Sequence, residues 1–247
     1  VSVHVAFTPL GLPPADVAGR TVVVLDVLRA TTTIVAALHH GARAVIVAAE
    51  TDEAITLAQS LDKRDVLLAG ERHSVPIPGF HLGNSPREMV PAAVSGKTLV
   101  MTTTNGTRAL LATSGAHEVL VGAAVNLSAV GERLRSAVAA GRDVLILCAG
   151  RDHGFGMDDA YLAGRFVIES MNGRRLRKGL NDAAIVSVDL VRRYGDRIDR
   201  ALALSAAGRE LTRLGFAADL DVAAAVDAHP VLPIYHDRRV TLTAPRP

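Results

Sequence analysis

Apolar residues along this chain fall in short continuous runs, each closed by a polar cluster. Seven of these runs, VSVHVAF, TVVVLDV, ARAVIVAA, DVLLAG, KTLVMT, HEVLVGA and DVLILCAG, are rich in β-branched residues and predict strands. Their hydrophobicity is continuous and not alternating, which is the pattern of strands covered on both faces. Between several of them the apolar spacing becomes helical, over 31–40, 51–60, 105–114 and 127–139, with a Gly as separator or an Asp or Thr placed to cap the next helix. Strand alternating with helix predicts an α/β fold, with three α/β/α layers around a mostly parallel sheet. After Gly156 the pattern turns mainly helical, near 157–171, 181–194, 197–207 and 217–227, before a short β-like tail, RRVTLT. No Pro/Ser-rich linker intervenes, so 1–247 reads as a single α/β domain with a helical C-terminal subdomain from about 157.

One stretch breaks the rhythm. From Glu71 to Met89, ERHSVPIPGFHLGNSPREM holds three prolines and shows no clear period. Its Ile, Phe, Leu and Pro are too apolar for a linker, so it predicts an ordered loop lying over the sheet.

Composition narrows the function classes. With 49% hydrophobic residues in 247, the chain can bury a sizeable core. Aromatics are only 3%, with no Trp, so that core must be built from Val, Leu, Ile and Ala, and the stacking platforms of a single-strand nucleic-acid binder are missing. A formal net charge of +2 predicts neither a nucleic-acid partner nor an acidic tail. The lone Cys148 excludes an intramolecular disulfide and suits a reducing compartment. No basic stretch precedes a long apolar run at the start, and no run is long enough to span a bilayer. The expectation is a cytoplasmic protein without a membrane partner, in which an Ala/Val/Leu-rich helix face could pair two copies as a homodimer.

Ligands of open parallel sheets bind beyond the carboxyl ends of the strands. There the chain is consistently polar. The stretch VVVLDVLRATTTI places Asp26, Arg29 and three threonines after one strand; Glu71 and Arg72 follow another. Thr102 to Thr107 follow a third, and Cys148, Arg151 and Asp152, then Asp158 and Asp159, follow a fourth. Carboxylates, hydroxyls and arginines together suit a hard divalent cation and a phosphate-like anion. An isolated Asp at a strand tip more often accepts loop amides or caps a helix. Asp26 is not isolated, and convergence with Glu71, Asp158 and Asp159 on one Mg²⁺ is the sharper expectation, two or three carboxylates being enough. One of the adjacent acids, Asp158 or Asp159, could instead serve only the helix dipole.

In MTTTNGTRAL a small hydroxyl-rich turn precedes a helix, and Gly106 permits close approach, so Thr103, Thr104, Asn105, Gly106 and Thr107 could cradle a phosphoryl group. Simple helix capping by a threonine or Asn105 accounts for the same residues about equally well, and Arg108 tips the balance towards an anion. Arg29, Arg72 and Arg108 are candidates for the substrate's phosphate and acid groups.

Several familiar patterns fail. SGKT at 95–98 ends like a phosphate-binding loop, but Pro91 occupies the place of its first glycine and a strand follows. No G-x-G-x-x-G follows any strand. Gly154 stands where a cysteine phosphatase needs arginine, so Cys148 reads as a packed, inert thiol, and Leu28 stands where a dehalogenase-type phosphatase needs a second acid. His73, His81 and His153 match no common zinc spacing and read as polar-loop histidines.

DVLRATTTI, GERHSVPIPGFHLGNSP, TTTNGT and CAGRDHGFGMDDAYLAG, in this order, resemble the 2-phosphosulfolactate phosphatase family. The resemblance runs from about Val22 to the GRELTRLGFAADLDVAAAVD segment. It implies an α/β fold, Mg²⁺, and hydrolysis of a phosphate monoester on a small acidic substrate. It also implies that FGMDD is the family's acidic pair, whose second member, Asp159, carries more weight. The expected site is then Asp26, Arg29, Glu71 and Asp159 for catalysis, and Asp26, Glu71, Asp158 and Asp159 for the metal. An activated water with a carboxylate base is the expected nucleophile, Asp26 as covalent nucleophile remaining open. Rival readings are a phosphotransferase or lyase using the same pocket, and a non-catalytic protein that binds a phosphorylated metabolite.

Overall fold

Alternate residues of the central strands enter two different cores, which is why their sequences are apolar without interruption. In the computed structural model, residues 1–62, 64–152, 154–171, 173 and 179–242 are described; His153 and the final Thr243 of the β-like tail lie outside them. The strands are β1 (Val3–Ala6), β2 (Thr21–Leu25), β3 (Ala44–Val47), β4 (Val66–Arg72), β5 (Val75–Pro76), β6 (Thr98–Thr102), β7 (Glu118–Gly122), β8 (Val144–Cys148), β9 (Ile234–His236) and β10 (Arg239–Thr241). Val22 and Val24 of β2, Val119 and Val121 of β7, and Leu145 and Leu147 of β8 face one core. Val23, Leu25, Leu120, Val144, Ile146 and Cys148 face the other. Each buried Val, Leu or Ile contributes about 1.5–3 kcal/mol, so the centre of the sheet resists disturbance most.

The spatial order is β1-β8-β2-β7-β9-β10-β3-β6-β4-β5. β1, β8, β2 and β7 form one parallel block and β3, β6 and β4 another. The C-terminal hairpin β9–β10 runs antiparallel between them, pairing with β7 through Leu120 and Ile234 and with β3 through Val45 and Ile46. Helices on both faces complete a three-layer α/β/α fold. No helix among the described residues is long and apolar enough to cross a membrane.

All seven predicted strands are present, and the helices match closely at Ala30–His39, Thr51–Gln59, Leu127–Ala139, Met157–Met171 and Asp182–Tyr194. Two differences concern the site. The helix expected over 197–207 breaks at Ser205, whose hydroxyl accepts the Gly208 amide (2.9 Å) and starts a second helix, Ala206–Arg213. The segment 71–89 folds into a hairpin of β4 and β5 around His73 and Ser74, both at positive φ, and then a short 3-10 turn, Pro86–Glu88, capped by Ser85.

Helix Met157–Met171 packs its Tyr161, Leu162, Phe166 and Val167 into the second core. Its Gly164 faces the Ser187 carbonyl so closely that an added Cβ would lie 2.1 Å from that oxygen. Close seating against helix Asp182–Tyr194 therefore fixes where this helix begins, and Asp158 and Asp159 are in its first turn.

Candidate active site

The ends of β2, β4, β6 and β8 open onto one cavity of about 240 Å³, lined by Asp26, Arg29, Glu71, Thr104, Asn105, Asp158 and Asp159 among others. The four acids expected from the sequence, on three separated segments, thus share a cavity, together with Asp152 and Glu210. Their oxygens are not used alike.

Asp159 accepts the Val27 amide on Oδ1 (2.9 Å) and the Gly150 amide on Oδ2 (3.0 Å), tying the loops after β2 and β8 to the start of the helix. Glu71 accepts the Thr104 amide on Oε1 (2.7 Å), and the Ser74 amide (2.7 Å) and Thr104 hydroxyl (3.1 Å) on Oε2. These two carboxylates hold backbone. Among the described residues, Asp26 accepts only a long bond from the Ala30 amide (3.3 Å) on Oδ1, while its own amide and carbonyl are held by Thr31. Asp158, at the helix start, is buried and bonded by local amides.

The electrostatics separate these residues further. Burial, then the charges of Glu71 and Asp158, raise Asp26 from the ordinary carboxylate range to about 7, against the Ala30 amide and Arg29. Asp158 is raised to about 6, mainly by burial, with Arg151 opposing. Asp159 is raised well above its ordinary value by burial and by its neighbours Asp158 and Asp26, in spite of its two amides. Crowded carboxylates that hold protons this tightly have a deficit of positive charge around them.

Arg29 does not fill that deficit. Its guanidinium, 3% exposed, donates to Asp219 (2.9 Å) and to the Ser74 carbonyl (2.8 Å) and lies 4.6 Å from the Phe216 ring centroid. Asp219 also accepts the Ser85 hydroxyl (2.6 Å). Arg29 therefore joins the cavity wall to the C-terminal helix Ala217–Ala224, and its charge is already matched. Arg72 and Arg108 do not line the cavity; both turn to Glu50, at 3.7 and 3.2 Å.

The threonine turn is also largely satisfied from within. The Thr103 hydroxyl accepts the Thr107 amide (3.1 Å), the Thr107 hydroxyl is 3.4 Å from the Thr103 amide and donates to the Thr103 carbonyl, and the Thr104 amide goes to Glu71. Three of the five amides across 103–107, those of Thr103, Thr104 and Thr107, are thus engaged within the protein. Gly106 does require close approach, but the neighbours are Asp26 Oδ2 and Ala30 Cβ, each 2.6 Å from where a Cβ would sit. Thr104 and Asn105 remain on the cavity wall.

Sequence reasoning did not assign His73, Ser74, Asn84, Arg151 or Glu210 to the site, yet all five line it. Arg151 was visible in the polar cluster after β8; Glu210 was hidden by the missed break at Ser205. Asn84 lay inside the stretch GERHSVPIPGFHLGNSP without a chemical pattern to single it out. It is 4% exposed, and its Oδ1 is buried without a hydrogen-bond partner. Cys148 is a buried free thiol whose pKa is pushed up by burial and by Asp159 and Asp158, which suits its packing role and not nucleophilic attack.

A hard cation fits this donor set. Asp26 Oδ2 accepts no hydrogen bond among the described residues, Asn84 lines the same cavity with its Oδ1 unpartnered, and Asp158 adds a buried carboxylate from the neighbouring helix start. The expectation that three or four acids bind one ion directly does not match the spacing. Among the described residues, no three of these carboxylates bring one oxygen each within 4.8 Å of one another.

The family model for 2-phosphosulpholactate phosphatase matches residues 6–238. The chain belongs to the 2-phosphosulfolactate phosphatase family. A protein of Symbiobacterium thermophilum named probable 2-phosphosulfolactate phosphatase is 41% identical over 234 residues, covering 94% of this chain and 99% of that one. Similar proteins with the same name occur in Deinococcus radiodurans (41% identical; 85% of each chain) and Thermotoga maritima (37%; 90% and 91%). The match to the 2-phosphosulfolactate phosphatase family spans every group around the cavity, from Asp26 to Glu210.

Proposed function

We propose that this chain is a divalent-metal-dependent phosphatase, with Mg²⁺ as its ion, that hydrolyses a small acidic phosphate monoester of the 2-phosphosulfolactate type. One observation supports this above the others: in a chain that the family model matches over 6–238, Asp26, Glu71, Asp158 and Asp159 line one cavity, and Asn84, whose buried Oδ1 has no hydrogen-bond partner, lines it too.

In this reading Asp26 and Asp158 hold the cation, with Asn84 Oδ1 as a neutral oxygen in the same wall. The bound ion supplies charge stabilisation for phosphoryl oxygens and for the leaving oxygen. Asp159 and Glu71 keep the loops after β2, β4 and β8 in register, so that Asp26 stays aimed at the cavity. Arg151 and His73, both on the wall, receive the anionic groups of the substrate. The attacking group is water, because Cys148 is buried and the strand tip lacks the second acid of an aspartyl-phosphate enzyme. Water adds to phosphorus as the bond from phosphorus to the substrate oxygen breaks, releasing inorganic phosphate and a hydroxy acid.

The test is phosphate release from a panel of small phosphorylated acids, including 2-phosphosulfolactate, with Mg²⁺ and with a chelator. Release that needs both metal and Asp26 supports the reading. Ligand binding with Mg²⁺ and no release would identify a sensor instead, and release only in the presence of an acceptor would identify a phosphotransferase.

A further inference from the structure

Away from the cavity, three histidines gather at the other end of helix Ala30–His39. His39 closes the helix, His40 follows it, and His229 comes from the segment leading into β9. Ten residues at about 1.5 Å each put this cluster roughly 15 Å along the helix from Ala30. One ligand nitrogen from each ring lies within 4.8 Å of the other two. The His229 ring centroid is 4.4 Å from that of His39 and 5.1 Å from that of His40.

Two details distinguish the trio from ordinary ring packing. His40 Nδ1–H donates to the Met89 carbonyl, which fixes the tautomer and leaves the Nε2 lone pair free, as in histidines that ligate metals. His229 Nδ1 is shielded from solvent without a hydrogen-bond partner, although the His229 amide is anchored on the Val125 carbonyl (2.8 Å). A buried nitrogen left unpaired costs stability unless a ligand satisfies it.

We propose that His39, His40 and His229 form a second metal site, for a borderline transition-metal cation such as Zn²⁺, separate from the acidic cavity. Neutral imidazoles suit Zn²⁺, Ni²⁺ or Cu²⁺ and discriminate against Mg²⁺, which takes oxygen ligands. Zn–N bonds of about 2.0–2.1 Å place the nitrogens of a tetrahedral site roughly 3.3 Å apart. His39 is the exposed member of the trio, on the side where solvent could reach a bound ion. The bound ion would clamp the helix end to the segment that feeds β9 and β10, the hairpin lying between the two parallel blocks. This site is independent of the phosphatase reading.

The experiment is calorimetric titration of ZnCl₂ into untagged, metal-stripped full-length protein containing excess MgCl₂, with a thermal melt at each ratio. Wild type and Asp26→Asn should each bind an equivalent of Zn²⁺ that Mg²⁺ does not displace, and should melt at a higher temperature when loaded. His229→Gln should weaken that binding by more than about tenfold and remove the gain. His39→Gln, at an exposed position, should do the same without changing the metal-free melt. Absence of a Zn²⁺ equivalent in wild type, or an equivalent that survives both histidine changes, would overturn the site.

Discussion

Two pairs of carboxylates share one cavity and do different work. Glu71 and Asp159 have both oxygens bound by amides of loops outside their own strand or helix, whereas Asp26 accepts one long bond from the Ala30 amide and Asp158 is bonded only within its own helix start; burial raises the proton affinities of Asp26, Asp158 and Asp159 alike. The difference lies in what surrounds the acid and not in residue type. A carboxylate saturated by amides fixes the chain around it, and one starved of partners is available to a cation. The first pair positions the second.

The largest effect that would break this division is in Asp26→Asn. It removes one charge from the proposed metal site, and loss of a preorganised charge stabiliser costs on the order of a hundred- to a thousandfold in rate. Because the carboxylate is held among like charges, the melting temperature should stay level or rise. Rate and melting measured on one preparation decide it: unchanged turnover would remove Asp26 from the metal.

Asp159→Ala should show the opposite profile. It leaves the Val27 and Gly150 amides without their acceptor, at about 1–3 kcal/mol for each group left unsatisfied. Urea unfolding should register that loss, and in Asp159→Ala the turnover should fall through displaced loops, so that high substrate restores part of it. Wild-type stability in this variant would mean that the two pairs are not distinct.

The pH dependence sharpens the comparison. Asp26 and Asp158 bind protons more tightly in the folded protein than in the unfolded chain, whose carboxylates titrate near 3.8. Unfolding therefore releases protons between about pH 4 and 7, and the contribution of these two groups to stability falls as pH rises through that window and is flat above it. Metal-free wild type compared with Asp26→Asn should show this as a melting difference that grows from pH 5 to pH 7.5. Added Mg²⁺ should recover more stability at the upper end, where protons no longer compete for the ligand oxygens. A difference independent of pH would contradict the raised proton affinity.

What the sequence made legible follows the range of the interactions. β2, β7 and β8 were readable because burial on both faces leaves a local mark, an unbroken apolar run. Asp26 and the Asp158–Asp159 pair were readable because strand tips and helix starts have fixed positions in such a fold. The partner of Arg29 was not, since Asp219 belongs to a helix near the other end of the chain and no local pattern announces the pair. The threonine turn was readable only in part: hydroxyls able to support a phosphate are equally able to satisfy their own amides, and Thr103 and Thr107 do the latter while Thr104 and Asn105 line the cavity. Ser205 was a cap hidden inside an apparently continuous helical pattern, and it moved Glu210 to the cavity.

The smallest expected effect concerns the arginines that sequence reasoning gave to the substrate. Arg72 and Arg108 share Glu50, which is 64% exposed, and an exposed ion pair is worth about 0–1 kcal/mol. Glu50→Gln should therefore change stability by less than about 1 kcal/mol, and it removes the shared charge partner of both guanidinium groups, Arg72 keeping its bonds to the Glu71 carbonyl (2.9 Å) and the Thr102 hydroxyl (3.0 Å). If the pair only braces the surface beside β4 and the helix Gly106–Leu111, KM and kcat should both stay close to wild type. A marked fall in KM with constant kcat would show instead that Glu50 competes with the substrate's acid group for Arg72 or Arg108, and would extend the anion-binding side of the site beyond Arg151 and His73.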